Sequence, residues 1–253
     1  MLLFSGDGDM RKICLVIAYE GTDYVGWQYQ PNGLSVQQCV EEALQKLTGR
    51  NHTVYSAGRT DAGVHAQGMA CHFLTERDLP LSAWREGLNS FLPAAIAVRS
   101  AREVEASFHA RFSATGKHYR YTLLCDPVRS PLERRTSWQV KANIDLARMR
   151  VAAEAFIGCH DFRAFRTTGC SAETTVREIF SITLTQKGTL VYIDIEGSGF
   201  LKNMIRMMVG TLVDIGRSKR PVDDIAKMLH SPGSVGPALT APAHGLCLMQ
   251  VFY

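Results

Sequence analysis

The sequence predicts an α+β fold in which two ferredoxin-like halves, each in the order β-α-β-β-α-β, join into one continuous, mixed and mostly antiparallel sheet with helices on one side and a central cleft. Three observations predict it. Short, β-branched apolar runs of strand length alternate with stretches whose apolar residues recur at helical spacing. The order of these elements in residues 11–110 recurs in residues 111–253 without visible sequence identity. Each such unit leaves open sheet edges, and joining the two sheets removes one edge from each.

The first half starts after residues 1–10, which read as a flexible tail. ICLVIAY (13–19) is a buried strand, followed by a loop with Gly26, Pro31 and Gly33. Ser35 and Gln38 form a capping-box pattern, opening a helix with Val36, Val40, Ala43, Leu44 and Leu47 on one face and Gly49 at its end. A strand at 53–57, a loop around Asp61 and a strand at 64–73 follow. A second helix from near Ser82, carrying Trp84 and Leu88, cannot pass Pro93, and a strand at 95–105 ends the half.

In the second half, KHYRYTLL (117–124) is a strand. After a long loop, a helix from Asp145 sets Leu146, Met149, Ala153 and Phe156 at helical spacing. Strands at 176–185 and 189–196 meet at Gly188. A helix over 200–215 and a strand at 245–252 close the chain. The cleft is expected on the side of the sheet away from the helices, where loops of both halves can converge.

Composition narrows the function classes. With 253 residues, 46% hydrophobic and 21% charged, the chain can bury a sizeable core as a water-soluble globular protein. MLLFSGDGDMRK has neither the basic lead nor the apolar length of a secretory leader, so a cytoplasmic location is expected. Residues 231–253 carry no charged side chain, but Pro232, Pro237 and Pro242 interrupt them, so no membrane helix is expected. Seven scattered cysteines, never spaced C-x-x-C, point to reduced thiols. Cys71-His72 and Cys159-His160 are adjacent pairs that a strand turns to opposite faces, so no metal site is expected. Net charge is +4, and 20 of the 28 basic residues are arginine, the side chain best suited to bidentate phosphate contacts. Clusters at Arg129/Arg134/Arg135 and at Arg217/Lys219/Arg220 suit either a polyanion or plain solvent.

Chemistry concentrates in AGRTDAGVHA (57–66), where Asp61 stands between Gly58 and Gly63. By residue type alone Asp61 is either a turn former bonded to its own backbone or an acid lifted to a strand end. Tyr119 and Tyr121 share one strand face and read as core aromatics. Arg206, within Met204-Ile205-Arg206-Met207-Met208, sits in so apolar a setting that it requires a carboxylate partner.

Four distant stretches, GRTDAGVHA (58–66), KHYRY (117–121), GFLKNMIRMMVG (199–210) and APAHGLCL (241–248), together with His160-Asp161-Phe162, carry a resemblance over residues 11–253. The sequence resembles the tRNA pseudouridine synthase A (TruA) family, departing only at Cys159, where threonine is more usual. The resemblance implies isomerisation of uridine to pseudouridine at positions 38, 39 and 40 in the anticodon stem-loop of tRNA, with the target base flipped out of the helix. It makes Asp61 the nucleophile, Arg206 its ion-pair partner, and Tyr119 the ring that stacks on uracil and can accept the C5 proton. Leu246 becomes an aliphatic wall and Arg59 a hold on the extruded nucleotide, while His65 and Lys117 become phosphate or loop-positioning contacts. A homodimer gripping one tRNA is implied, and the redox-neutral reaction requires no cofactor or metal. The alternatives lack their signatures: no RNP-type aromatic run for a passive RNA-binding module, and no H-x-E with P-C-x-x-C for a zinc deaminase. A two-metal nuclease would want a carboxylate cluster, and only Asp61 stands in the four long stretches.

Overall fold

The computed structural model describes residues 10–141, 143–167 and 173–253. Residues 1–9 of the expected tail, and Cys170, lie outside the described residues. The described strands are β1 (Arg11–Tyr19), β2 (Tyr55–Ser56), β3 (His65–Thr75), β4 (Ile96–Val104), β5 (Gly116–Leu124), β6 (Trp138–Gln139), β7 (Gly158–Asp161), β8 (Val176–Lys187), β9 (Leu190–Gly197) and β10 (Leu246–Phe252). They form one ten-stranded sheet in the order β4-β1-β3-β10-β5-β9-β8-β7, with β2 also on β3 and β6 on β5.

Counting the main strands of each half in chain order, β1, β2, β3, β4 and then β5, β8, β9, β10, both halves run fourth, first, third, second across the sheet. The fold class expected from element order is therefore the one observed. The halves meet where β3 and β10 pair in parallel, with Cys247 opposite His65 and Leu248 opposite Ala66. That seam fixes the site, because β3 begins just after the Asp61 loop and β10 begins at Leu246.

The described α-helices are α1 (Val36–Thr48), α2 (Leu88–Phe91), α3 (Leu146–Ala153), α4 (Met204–Gly216) and α5 (Asp224–His230). In α1 half of the expected capping box forms: Ser35 Oγ accepts from the Gln38 N–H at 3.2 Å, while the Gln38 side-chain amide donates to Glu42 Oε1 at 2.9 Å instead of reaching back, and Gly49 closes the helix at φ 74°. Its Val36, Val40, Ala43 and Leu44 belong to the same buried cluster as Ile13, Leu15 and Ile17 of β1. Full burial of each larger side chain contributes about 1.5–3 kcal/mol, so this face, more than helix propensity, holds α1 in place. The α4 helix is apolar nearly all round because it lies between the sheet and the 238–241 segment. Gly210 makes that possible, since a Cβ there would fall 1.8 Å from the Leu239 carbonyl oxygen.

Three features differ from expectation. The segment after Ser82 is a single turn of π-helix, Ala83–Gly87, running into α2, with Trp84 buried beneath it. The helix expected from residue 200 begins only at Met204, because Asn203 adopts a left-handed backbone at φ 62°. The short elements β6, β7 and α5 are additional.

The expected cleft side is corrected as well. Tyr119, Tyr121 and Leu123 of β5 share a buried cluster with Val191, Ile193 and Ile195 of β9 and with Met208 and Leu212 of α4. The opposite face carries His118, Arg120 and Asp194, with Arg120 paired to Asp194 at 2.9 Å. Tyr119 thus turns toward the helices, and the site lies on the helix side of the sheet. Among the described residues no helix is long and apolar enough to cross a membrane.

Candidate active site

The Asp61 loop is held on both sides of the acid. Ala57 N–H donates to Ala70 O at 2.8 Å, starting the loop from β3, and Val64 N–H donates to Asp61 O at 3.1 Å, closing a turn whose Gly63 takes φ 78°. Thr60 is buried, with its hydroxyl 2.8 Å from the Tyr19 hydroxyl and its carbonyl accepting from Trp27 N–H at 3.1 Å. The first-half loop after β1 therefore braces the residue directly before the acid.

Among the described residues the Asp61 carboxylate makes no hydrogen bond to its own backbone; it faces the Arg206 guanidinium, with Oδ2 3.9 Å from Nη1. Of the two readings open from residue type, the turn former gives way to the acid presented to a partner. Arg206 is fixed by two acceptors: Nε donates to Ala241 O at 2.7 Å, and Nη1 donates to Asn203 Oδ1 at 2.6 Å. Ala241 N–H returns a bond to Arg206 O at 3.0 Å, so two hydrogen bonds tie the 241 segment to the first turn of α4. Burial pushes the Asp61 carboxyl above the usual aspartate range, and the charges of Arg206 and then Lys202 pull it back down. At 3.9 Å the pair is in ionic contact without a hydrogen bond, leaving both carboxylate oxygens able to meet an incoming atom.

Tyr119 lies opposite Leu248 of β10 and Ile195 of β9, and Phe200 meets its ring edge-on at 5.3 Å and 81°. Burial, and next the negative charge of Asp61, raise its hydroxyl pKa, so the phenol stays neutral. Among the described residues nothing accepts or donates a hydrogen bond at that hydroxyl. Tyr121, two residues on, donates to Pro242 O at 2.7 Å and packs against Gly245. This pins the turn that leads into Leu246, which is 6% exposed at the start of β10.

The remaining sequence candidates fall around this centre in different ways. Arg59 is exposed and has no ion pair among the described residues. Lys117 is half-buried, its amine against the loop at Gly58, where a Cβ would stand 2.8 Å from Nζ. Burial, then the charges of Arg111 and Arg177, lower the Lys117 pKa to about 8. His65 is buried, with Nδ1 accepting from Gly21 N–H at 2.9 Å and Nε2 2.8 Å from Arg135 O and 3.0 Å from His244 O. Both ring nitrogens are thus engaged within the chain, and His65 ties three loops together instead of facing outward. Residues that sequence reasoning passed over are Phe200, Lys202 and Asn203, all inside the third motif, and the Tyr19–Thr60 pair.

The family model described as tRNA pseudouridine synthase matches residues 15–113 and 152–253. A tRNA pseudouridine synthase A of Syntrophotalea carbinolica is 56% identical over 244 residues, covering 96% of this chain and 97% of that protein. One from Geobacter sp. strain M21 is 53% identical over 245 residues, covering 96% and 99%. A third, from Myxococcus xanthus, is 46% identical over 245 residues, covering 96% and 92%. With both halves, the seam and the Asp61 loop inside these matches, the chain belongs to the tRNA pseudouridine synthase A family, whose members are isomerases.

Proposed function

We propose that the protein isomerises uridines 38, 39 and 40 in the anticodon stem-loop of tRNA, using Asp61 as the nucleophile. The observation that carries this reading is a partly buried acid, held above its usual pKa by desolvation, facing a guanidinium at 3.9 Å and next to a neutral tyrosine ring. A paired uridine is out of reach, so the nucleotide flips out at a cost of a few kcal/mol in stacking and pairing. Arg59, exposed on the loop, holds the extruded nucleotide, and uracil rests on Tyr119 beside Leu246. Asp61 attacks the ribose or the base, the bond from N1 to C1′ breaks, the uracil turns, and C5 bonds to C1′. The C5 proton then leaves by way of the Tyr119 hydroxyl while N1, freed of the ribose, takes up one proton in exchange; the bond to Asp61 breaks as C5 displaces it from C1′, or by elimination afterwards where Asp61 has added to the base. One carbon–nitrogen bond is exchanged for one carbon–carbon bond with no change of oxidation state overall, so the chemistry calls for no external acceptor or cofactor.

Arg206 keeps Asp61 ionised as the site closes and water leaves. Lys117 contacts a phosphate near the target, and His65 positions the loop. Residues 11–110 supply the nucleophile, and residues 111–253 supply the ring, the guanidinium and the wall, so the two halves act as units joined at the seam. The working form is a cytoplasmic homodimer gripping one tRNA, because an L-shaped substrate exceeds the span of one cleft. The test is incubation of the purified protein with unmodified tRNA, without metal or nucleotide, followed by mapping of pseudouridine. Modification confined to 38–40 is expected; none at these positions, or modification elsewhere, contradicts the reading.

A further inference from the structure

Asn203 is one of two non-glycine residues with positive φ among those described, at φ 62° and ψ 4°. That region is uncommon for L side chains, and asparagine enters it more readily than most because its short amide can hydrogen-bond nearby. It caps α4 without bonding the helix backbone, which is the usual reason for an asparagine at that place. Its carboxamide instead points sideways in both directions. Oδ1 accepts from Arg206 Nη1 at 2.6 Å, and Nδ2 donates to Thr167 Oγ1 at 3.0 Å. The orientation follows from chemistry, because a guanidinium can only donate, so the amide oxygen must face it. The nitrogen that Asn203 holds is also the one that faces Asp61 Oδ2, at 3.9 Å.

We infer that Asn203 is a positioning residue for the isomerisation: its left-handed backbone aims a neutral acceptor at Arg206 and aligns that guanidinium on Asp61. This rests on the proposed role of the Asp61–Arg206 pair. Neutrality is the functional point. A carboxylate at this place would bind Arg206 as well but would compete with Asp61 for its charge, whereas an amide orients the guanidinium and leaves its full charge to the nucleophile. Thr167, in the segment after β7, anchors the amide from its other end.

The test uses Asn203→Gly and Asn203→Asp in the full-length protein, with Arg206→Ala as the reference for loss of the ion pair. Glycine accepts φ 62° without strain, so Asn203→Gly is expected to keep the thermal midpoint and the tRNA dissociation constant. It should lose roughly tenfold in kcat, the scale of one charge-assisted hydrogen bond. It should also raise the pKa of Asp61, read without turnover by carboxyl-carbon NMR titration. Asn203→Asp should raise that pKa further while still holding Arg206. If Arg206→Ala raises the Asp61 pKa and both Asn203 variants leave pKa and kcat unchanged, the positioning role is overturned and the ion pair stands. If Arg206→Ala leaves it unchanged, the ion pair itself fails, and the role of Asn203 falls with it.

Discussion

Asp61 carries two opposed influences, desolvation upward and the charges of Arg206 and Lys202 downward, with desolvation the larger. The nucleophile must be ionised, so activity should fall as pH drops through a pKa lying above the ordinary aspartate value of about 3.9. Arg206→Ala removes the main offset, and the acidic limb of the rate profile should move to higher pH; an unmoved limb would separate Arg206 from the ionisation of Asp61. The same shift bears on stability. A carboxyl whose folded pKa is raised favours folding only at pH low enough to protonate it, and that contribution is lost as pH rises through the folded pKa, so at neutral pH the ionised acid is a cost. Asp61→Asn should therefore melt at or above the parent temperature at pH 7, by calorimetry, and closer to it below pH 4. Tyr119→Phe keeps the ring and its contact with Phe200 but removes the hydroxyl, so binding should persist while a cleaved, unreleased intermediate accumulates in rapid-quench assays. Normal turnover would leave Tyr119 only a platform.

Asp61 and Tyr119 stood out in the sequence because GRTDAGVHA and KHYRY resemble the family's motifs, whereas residue type and alternation alone read them as a turn former and a core aromatic; Arg206, among methionines, called for a carboxylate by its own setting. Asn203 did not stand out, because helical spacing alone extends α4 back to Phe200, and no periodicity reveals a left-handed residue. His65 was seen as a candidate, but only the fold shows its two nitrogens turned to Gly21 and to the carbonyls of Arg135 and His244.

At the level of elements, caps and apolar faces were readable and very short pieces were not. Ser35 and Gly49 mark α1 in the sequence and in the structure alike. The two-residue strand β6 is too short for any alternation to show, while β2 is the strand expected at 53–57, shortened to Tyr55–Ser56; both exist because β3 and β5 offer them a free edge. The strand order follows from the wish of each half to bury one face and lose one edge, but the side on which the cleft opens depends on where Tyr119 points, which the face of one strand does not fix without its neighbours. The α4 helix gives a direct test of element packing. Gly210→Ala drives a methyl into the Leu239 carbonyl, and pushing the 238–241 segment away should also pull Ala241 O from Arg206. Denaturant unfolding should show a loss of about 1–3 kcal/mol. Activity should fall beyond what that loss explains; a variant as stable and active as the parent would mean the segment is not held by this contact.

Across the whole molecule, the seam between β3 and β10 brings an acid from one half to a guanidinium and a ring from the other. The composition of 20 arginines among 28 basic residues suits the polyanion that the family modifies. Affinity for tRNA should fall steeply with salt, each phosphate contact adding roughly 0.9 to the slope of the log–log plot. Lys117 adds a pH signature. With its free pKa lowered to about 8, a phosphate contact would favour the charged amine, so binding should take up a proton above pH 8 and weaken as pH rises further. Calorimetry in buffers of different ionisation enthalpy reads that uptake, and Lys117→Met should abolish it; uptake that survives the substitution would assign it to another group. The most direct measurement pairs tRNA binding with single-turnover pseudouridine formation in Asp61→Asn, at pH 7 and in matched salt. Binding within about twofold of the parent with no pseudouridine is the expected result, and pseudouridine formed by this variant would contradict the assignment of Asp61 as nucleophile.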